Sequence, residues 1–269
     1  LVNFGRFQDA MTDQSKHAWS LYHSRISFAL NAKILQPLDV IDTAIEHYYA
    51  AKGSISLPQI EGFVRQILGW REFMRCVYWH RMPEFADENF FGFDRKLPQW
   101  FWNGETKMKC LSHTIGQSLN HGYAHHIQRL MVTGNFALLA GIDPDEVDLW
   151  YLGIYIDAFE WVEITNTRGM SQYADGGWIA TKPYVSSANY MKKMGDYCDQ
   201  CFYNPKTKTE DDSCPFNALY WNFFDSQRDK LQSNFRLGMV YRTYDKMNAD
   251  VKAGIREKAQ SLLDNINTL

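Results

Sequence analysis

Helical periodicity runs through the long stretches of this chain, and no convincing series of alternating strands interrupts it. In "LDVIDTAIEHYYAAKG", residues 38–53, the apolar positions Ile41, Ala44, Ile45, Tyr48 and Tyr49 recur at i, i+3, i+4, i+7 and i+8. That spacing marks one face of a helix, and Gly53 is a fitting stop. "SLPQIEGFVRQILGWREFMRCVYWHRMP" reads as one long helix, with Pro58 near its start and Pro83 closing it. In "IDPDEVDLWYLGIYIDAF", Asp143 suits an N-cap and Pro144 the first helical position, and Glu146 stands at the third position of a capping box. "NADVKAGIREKAQSLLDNI" is a last amphipathic helix. The expected fold is all-α, without internal repeats.

Between about residues 165 and 216 the texture changes. "NTRGMSQYADGGWIATKPYVSS" is rich in turn formers and predicts a loop, as does "NPKTKTEDDS". Long loops inside a helical domain are usually functional. The second one lies inside "YCDQCFYNPKTKTEDDSCPF", where Cys198, Cys201 and Cys214 form a C-x2-C-x12-C pattern. Metal ligation there would tie the ends of the loop down. Thiolates select zinc or an iron–sulfur cluster, a C-x2-C pair does not choose between them, and free thiols without metal are the third reading. The candidates for a fourth ligand are Cys76 and Cys110. Cys76, in "FMRCVYWH", reads as a packed thiol. Cys110, in "NGETKMKCLSH", lies near a probable helix start and is the preferred candidate.

The 269 residues are enough for one large domain or two small ones, and 45% are hydrophobic, so a sizeable core is expected. A net charge of −3 argues against a chain-wide polyanion binder. A local basic patch remains, for example Arg65, Arg71, Arg75 and Arg81. Five cysteines without a secretory signal point to a reducing, cytoplasmic setting and to metal rather than disulfides. No apolar run of eighteen residues predicts a membrane span. The start on "LVNFGRFQDAM", with no initiator Met, is expected of a fragment of a longer protein.

The four-cysteine set is followed by "CPFNALYWNFFD" after Cys214. Together with "YAHHIQRLMVTGNF", "WYLGIYIDAFEWVEITNTRGMSQYADGG" and "LGWREF", it resembles the iron–sulfur branch of the photolyase/cryptochrome family. The resemblance covers essentially the whole chain and is most specific from His121 to Phe216. It implies the family's C-terminal helical domain, with FAD and a [4Fe–4S] cluster. The N-terminal α/β antenna domain would be absent here, and an antenna chromophore is expected only in the full-length protein. Residues 1–185 would hold mainly the FAD and lesion sites, and residues 186–269 with Cys110 the cluster region.

By resemblance, Cys110, Cys198, Cys201 and Cys214 are the cluster ligands. "HSRIS" resembles the phosphate-binding turn, making His23, Ser24 and Ser27 candidates for the FAD diphosphate. The more widespread pattern has Thr, Leu and Pro where this chain has His23, Ile26 and Phe28. Asp157 matches the acidic residue facing the flavin ring, and Glu163 the position facing flavin N5, where most photolyases outside this branch carry Asn. Asn166 and Arg129 are further flavin candidates. His126, with His125 beside it, is implied at the lesion as the proton-moving residue, a task suited to imidazole. The two are expected on one helix, about 100° apart around it. Trp102, Trp150, Tyr151 and Tyr190 match positions for electron passage to FAD, although core packing alone explains buried aromatics. Gln66, Trp70 and Tyr184 match lesion-facing positions, and Arg71 and Lys182 suit DNA phosphates.

The activity implied is light-driven electron transfer from reduced FAD to a UV photoproduct in DNA, the (6-4) lesion first, by a monomer. Such enzymes flip the damaged bases out of the duplex. Two other readings stand beside it. One is a cryptochrome-type photoreceptor with the same cofactors. The other is a helical metal-bearing nucleic-acid module without FAD.

Overall fold

A computed structural model describes residues 1–269. The chain is helical throughout, and the backbone forms only isolated bridges, at Met11–Gly195, Arg95–Ile142 and Asn204–Ser213. The short α1 (Ser27–Asn31) leads into α2 (Pro37–Ala50), where Ile41 and Ala44 are buried. Tyr49 departs from its expected face and is 76% exposed, because α2 packs along a stripe too narrow to include it.

The long helix expected from residue 56 is present with an internal irregularity. It runs as α3 (Leu57–Arg65), a π-helical turn Gln66–Arg71, and α4 (Glu72–Arg81). Ser56 opens it by donating its backbone N–H to Gln59 Oε1 at 2.8 Å. On α4 the buried residues are Met74 and Val77, one turn apart. Cys76 therefore falls on the outer face and is exposed, not packed.

The middle of the chain supplies the centre. It contains α5 (Lys109–His121), α6 (His126–Gln128), a π-turn Arg129–Gly134, α7 (Asn135–Ala140), α8 (Pro144–Ile154) and α9 (Glu160–Ile164). All six residues of α7 are buried. Around it close Trp100, Phe101, Trp150, Phe216 and Phe223, each almost fully buried. Full burial of one such ring contributes about 1.5–3 kcal/mol. Asp143 caps α8 as expected, its carboxylate accepting the Asp145 N–H at 3.0 Å. Glu146 does not close the capping box. It reaches Lys96 Nζ at 2.9 Å and accepts the Leu97 N–H at 3.3 Å, tethering the preceding loop.

The stretch after α9 is not all loop. Thr165–Ser171 continues as a third π-turn, and irregular backbone begins only beyond it. Two features hold this turn. Arg168 is buried against Asp145 and Asp148, and the missing side chain of Gly169 lets Ile179 lie directly on the backbone. The chain ends with α10 (Ala188–Met194), α11 (Pro215–Ser226), α12 (Arg228–Leu231), α13 (Gly238–Asp245) and α14 (Ala249–Asp264). The "NPKTKTEDDS" stretch is a loop as expected, tied at its base by Cys214 N–H to Asn204 O at 2.9 Å. No helix is long and apolar enough to cross a membrane.

Where the second and third π-turns meet, Gly134 has no room for a side chain. A Cβ there would overlap Ser171 Oγ and the Arg129 carbonyl. Gly134→Ala is expected to lower stability by about 1–3 kcal/mol, read as a reduced midpoint in urea unfolding with unchanged slope.

Candidate functional site

Asp157 sits in the turn after α8, and three distant segments converge on it. Ser27 Oγ, at the start of α1, donates to Oδ2 at 2.5 Å. Arg129, at the start of a π-turn, pairs with Oδ1 at 2.9 Å. Asn31 Nδ2 donates to the Asp157 carbonyl at 2.9 Å. The Arg129 guanidinium also lies over the Tyr155 ring at 3.8 Å, and its Nε donates to Ala124 O at 2.6 Å. The sequence reading therefore placed Ser27, Arg129 and Asp157 at one site, and the fold brings them into contact. Tyr155 was missed.

Beside this cluster, His23 and His125 stack with ring centroids 4.5 Å apart and planes 5° from parallel. His23 Nε2 and both nitrogens of His125 have no hydrogen-bond partner. Burial pushes the His125 imidazole down to about 2, with His23, His126 and Arg129 adding to the effect. Burial also lowers His23. The expectation that His125 and His126 share a helix is corrected. Gly122 in the left-handed region ends α5, and His125 is extended as the residue preceding α6. His125 is buried and His126, the first residue of α6, is exposed. Desolvation by neighbouring protein, then Arg129 and His23, lower the His126 imidazole to about 4.

Glu163, on α9, is 7% exposed and accepts the Thr167 hydroxyl. Burial raises its carboxyl well above the ordinary range, and the charge of Asp148 raises it further, against Arg129 and Arg168. Asn166 Oδ1 accepts the Trp70 indole N–H at 3.0 Å, joining a flavin candidate to a lesion candidate. Arg71 lies over the Trp161 ring at 5.0 Å and pairs with Glu72. Tyr184 is half-buried, and Ser24, Gln66 and Lys182 stand at exposed positions.

The aromatic candidates separate. Trp150 contacts Tyr151 (5.6 Å), Tyr155 (5.7 Å) and Phe101 (5.3 Å), and Phe101 stacks on Trp100 at 4.8 Å. This file of rings reaches the Arg129–Asp157 cluster through Tyr155. Trp102 is 60% exposed and apart from it, and Tyr190 donates to Asp9 at 3.4 Å.

Cys110, Cys198, Cys201 and Cys214 line one small apolar pocket, walled by Tyr197, Tyr203 and Phe216. Cys110 lies in the first turn of α5 and Cys214 caps α11, so two positive helix ends face the thiols. Burial raises three of them, Cys110 well above its ordinary value, Cys198 to about 11 and Cys214 to about 12. No three ligating side chains converge as they would around a single ion.

No family model matches the chain. A (6-4) photolyase of Agrobacterium fabrum is 51% identical to it over 263 residues, which are 98% of this chain and 51% of the relative. The chain belongs to the photolyase-related family. It spans about half the length of that curated relative. The uncharacterised protein R855 of Acanthamoeba polyphaga mimivirus is 32% identical over 111 residues, 41% of this chain and 80% of its own. A second mimivirus protein, the uncharacterised R853, is 28% identical over 102 residues, 38% of this chain and 77% of its own. Membership of the photolyase-related family implies FAD binding.

The buried histidine has a measurable signature. The folded value of His125 lies below its ordinary 6.5, so its contribution to stability is whole above pH 6.5 and is lost as the pH falls from there toward about 2. Each bound proton weakens folding by about 1.4 kcal/mol per pH unit. Urea unfolding between pH 6.5 and 5 should therefore lose about 2 kcal/mol more in the unsubstituted protein than in His125→Gln.

Proposed function

We propose that this chain is the helical catalytic part of a light-driven DNA-repair enzyme that acts on the (6-4) pyrimidine lesion. The observation that carries the reading is the convergence of Ser27 and Arg129 on Asp157, with the stacked His23 and His125 beside it and His126 exposed at the start of α6. The unpartnered nitrogens of His23 and His125 fit a polar ligand that supplies their missing partners. FAD, when bound, supplies the photoexcited electron that opens the lesion. Ser27, Arg129, Asp157 and Asn166 hold it, with His23 and Ser24 toward its phosphates. Glu163, whose carboxyl burial raises well above the ordinary range, would face the flavin ring, where its protonated form could donate a hydrogen bond. The Trp150 and Tyr151 rings would carry electrons toward a bound flavin by way of Tyr155, whereas Trp102 and Tyr190, the other candidates, lie outside that file of rings.

His126 is neutral near pH 7. It takes a proton from one lesion base and delivers it to the other. DNA phosphates nearby raise its affinity for that proton. Trp70, Gln66 and Tyr184 receive the flipped bases, and Arg71 and Lys182 meet phosphates. The four thiols, gathered in one apolar pocket, have the ligand type and number that a [4Fe–4S] cluster takes. Helix N-termini at Cys110 and Cys214 stabilise its negative charge. The cluster pins α5, α10 and α11 together. Five free cysteines fit a cytoplasmic setting.

Purified protein should show flavin absorption and contain iron. Zinc with no flavin contradicts the reading. Cys110→Ser should lose the iron. In the full-length protein, His126→Ala should slow light-dependent (6-4) repair by on the order of 10²-fold while FAD remains bound. Repair at the unsubstituted rate removes His126 from the mechanism.

A further inference from the structure

A buried polar bridge joins the cysteine pocket to the histidine cleft. Its centre is Gln117 on α5 and Gln128 on α6, 7% and 0% exposed. Gln117 Nε2 donates to Gln128 Oε1 at 2.8 Å, and Gln128 Nε2 donates back to Gln117 Oε1 at 3.0 Å. Flipping either amide alone sets like atoms against each other, and flipping both would lose the outer bonds to the Trp19 and Tyr123 carbonyls and to the His125 N–H.

The bonds leave this pair in two directions. Toward the cysteines, Gln128 Nε2 also donates to Tyr197 Oη at 3.2 Å. Tyr197 walls the thiol pocket and opens the turn that carries Cys198. Toward the cleft, the His125 N–H donates to Gln128 Oε1 at 3.2 Å. Gln117 Nε2 is shared with the carbonyls of Tyr123 at 3.3 Å and Trp19 at 3.2 Å. Cys110 and Gln117 lie two turns apart on the same face of α5. One rigid helix thus carries a thiol at one end and the amide bridge toward the other.

We infer that Gln117, Gln128 and Tyr197 form a positioning bridge that holds the start of α6, and with it His125 and His126, from the wall of the cysteine pocket. These three residues act through the histidines. Their amides and hydroxyl are buried, so a broken link has no water to replace it. Whatever loosens the Tyr197 turn, loss of metal from the pocket included, loosens the backbone of His125. The catalytic consequence rests on the proposed role of His126, whereas the bridge itself does not.

The test is amide hydrogen exchange, read by mass spectrometry over residues 124–130 in the full-length protein, alongside its repair rate. Tyr197→Phe keeps the ring and removes only the hydroxyl. Exchange in that segment should become about tenfold faster, the factor expected for one buried hydrogen bond. Gln128→Met should act in the same direction, and the double variant should be no faster than the stronger single one. Tyr241→Phe is the control, since the Tyr241 hydroxyl is buried without a partner. It should leave the segment unchanged. If Gln128→Met fails to fold, Tyr197→Phe alone decides. Unchanged exchange in Tyr197→Phe, or effects that multiply independently in the double variant, overturns the inference. Faster exchange in a protein that repairs no (6-4) lesion supports the bridge and removes the functional reading instead.

Discussion

The ion pair between Arg129 and Asp157 is the joint on which the cleft depends. Asp157 is almost fully buried, and Arg129 keeps only a fifth of its side chain in solvent. Removing one partner of such a pair strands a charge, at a cost of about 3–5 kcal/mol. Arg129 has further roles. Its Nε holds the Ala124 carbonyl just before the two histidines, and its own carbonyl accepts the Tyr151 hydroxyl at 2.6 Å. Its guanidinium covers the Tyr155 ring. Arg129 therefore ties the entry to α6, the end of α8 and the turn at Asp157 together, and Asp157 in turn holds α1 through Ser27 and Asn31. The positions of His23 and His125 follow from that frame, and their unpartnered nitrogens lie beside it.

Three π-helical turns place the other candidates. Gln66, Trp70 and Arg71 lie on the first, Arg129 on the second, and Asn166 on the third. A π-turn widens the helix and shifts the register of everything after it, which frees carbonyls and re-aims side chains. In the third turn, Asn166 Oδ1 is thereby available to the Trp70 indole across the gap to the first. The tight meeting of the second and third turns at Gly134 shows how little freedom this arrangement has.

Four helical stretches were legible in the sequence, the helices around residues 38–53, 56–83, 143–154 and 249–264, because the apolar period, Pro58, Pro144 and the carboxylate of Asp143 act within a few residues of themselves. The π-turns were not, since no residue type marks the inserted position. Thr165–Ser171 was read as loop because its Gly and Ser content suits turns. Tertiary contacts from Arg168 and Ile179 override that composition. Cys76 was misplaced by a count of apolar neighbours that ignored the helical phase of Met74 and Val77. The Glu146 partner was invisible because Lys96 and Leu97 lie far back in the chain. At the site, the family resemblance named Ser27, Arg129 and Asp157, and only the fold brings them into contact. Tyr155, Gln117 and Gln128 carried no local signal, since a buried amide and a surface amide look alike in sequence.

The cysteine pocket and the cleft are separate pieces of chemistry built from shared helices, with α5 carrying Cys110 at one end and ending at the turn before the histidines. The central claim is that the cleft performs light-driven repair of the (6-4) lesion. Its most direct test is to illuminate the reduced full-length protein with DNA duplexes carrying either a (6-4) or a cyclobutane lesion, and to count restored pyrimidines against a dark control. Restoration of the (6-4) duplex in light and none in the dark is the expected result. A protein that holds FAD yet leaves the (6-4) duplex unrepaired in the light contradicts it.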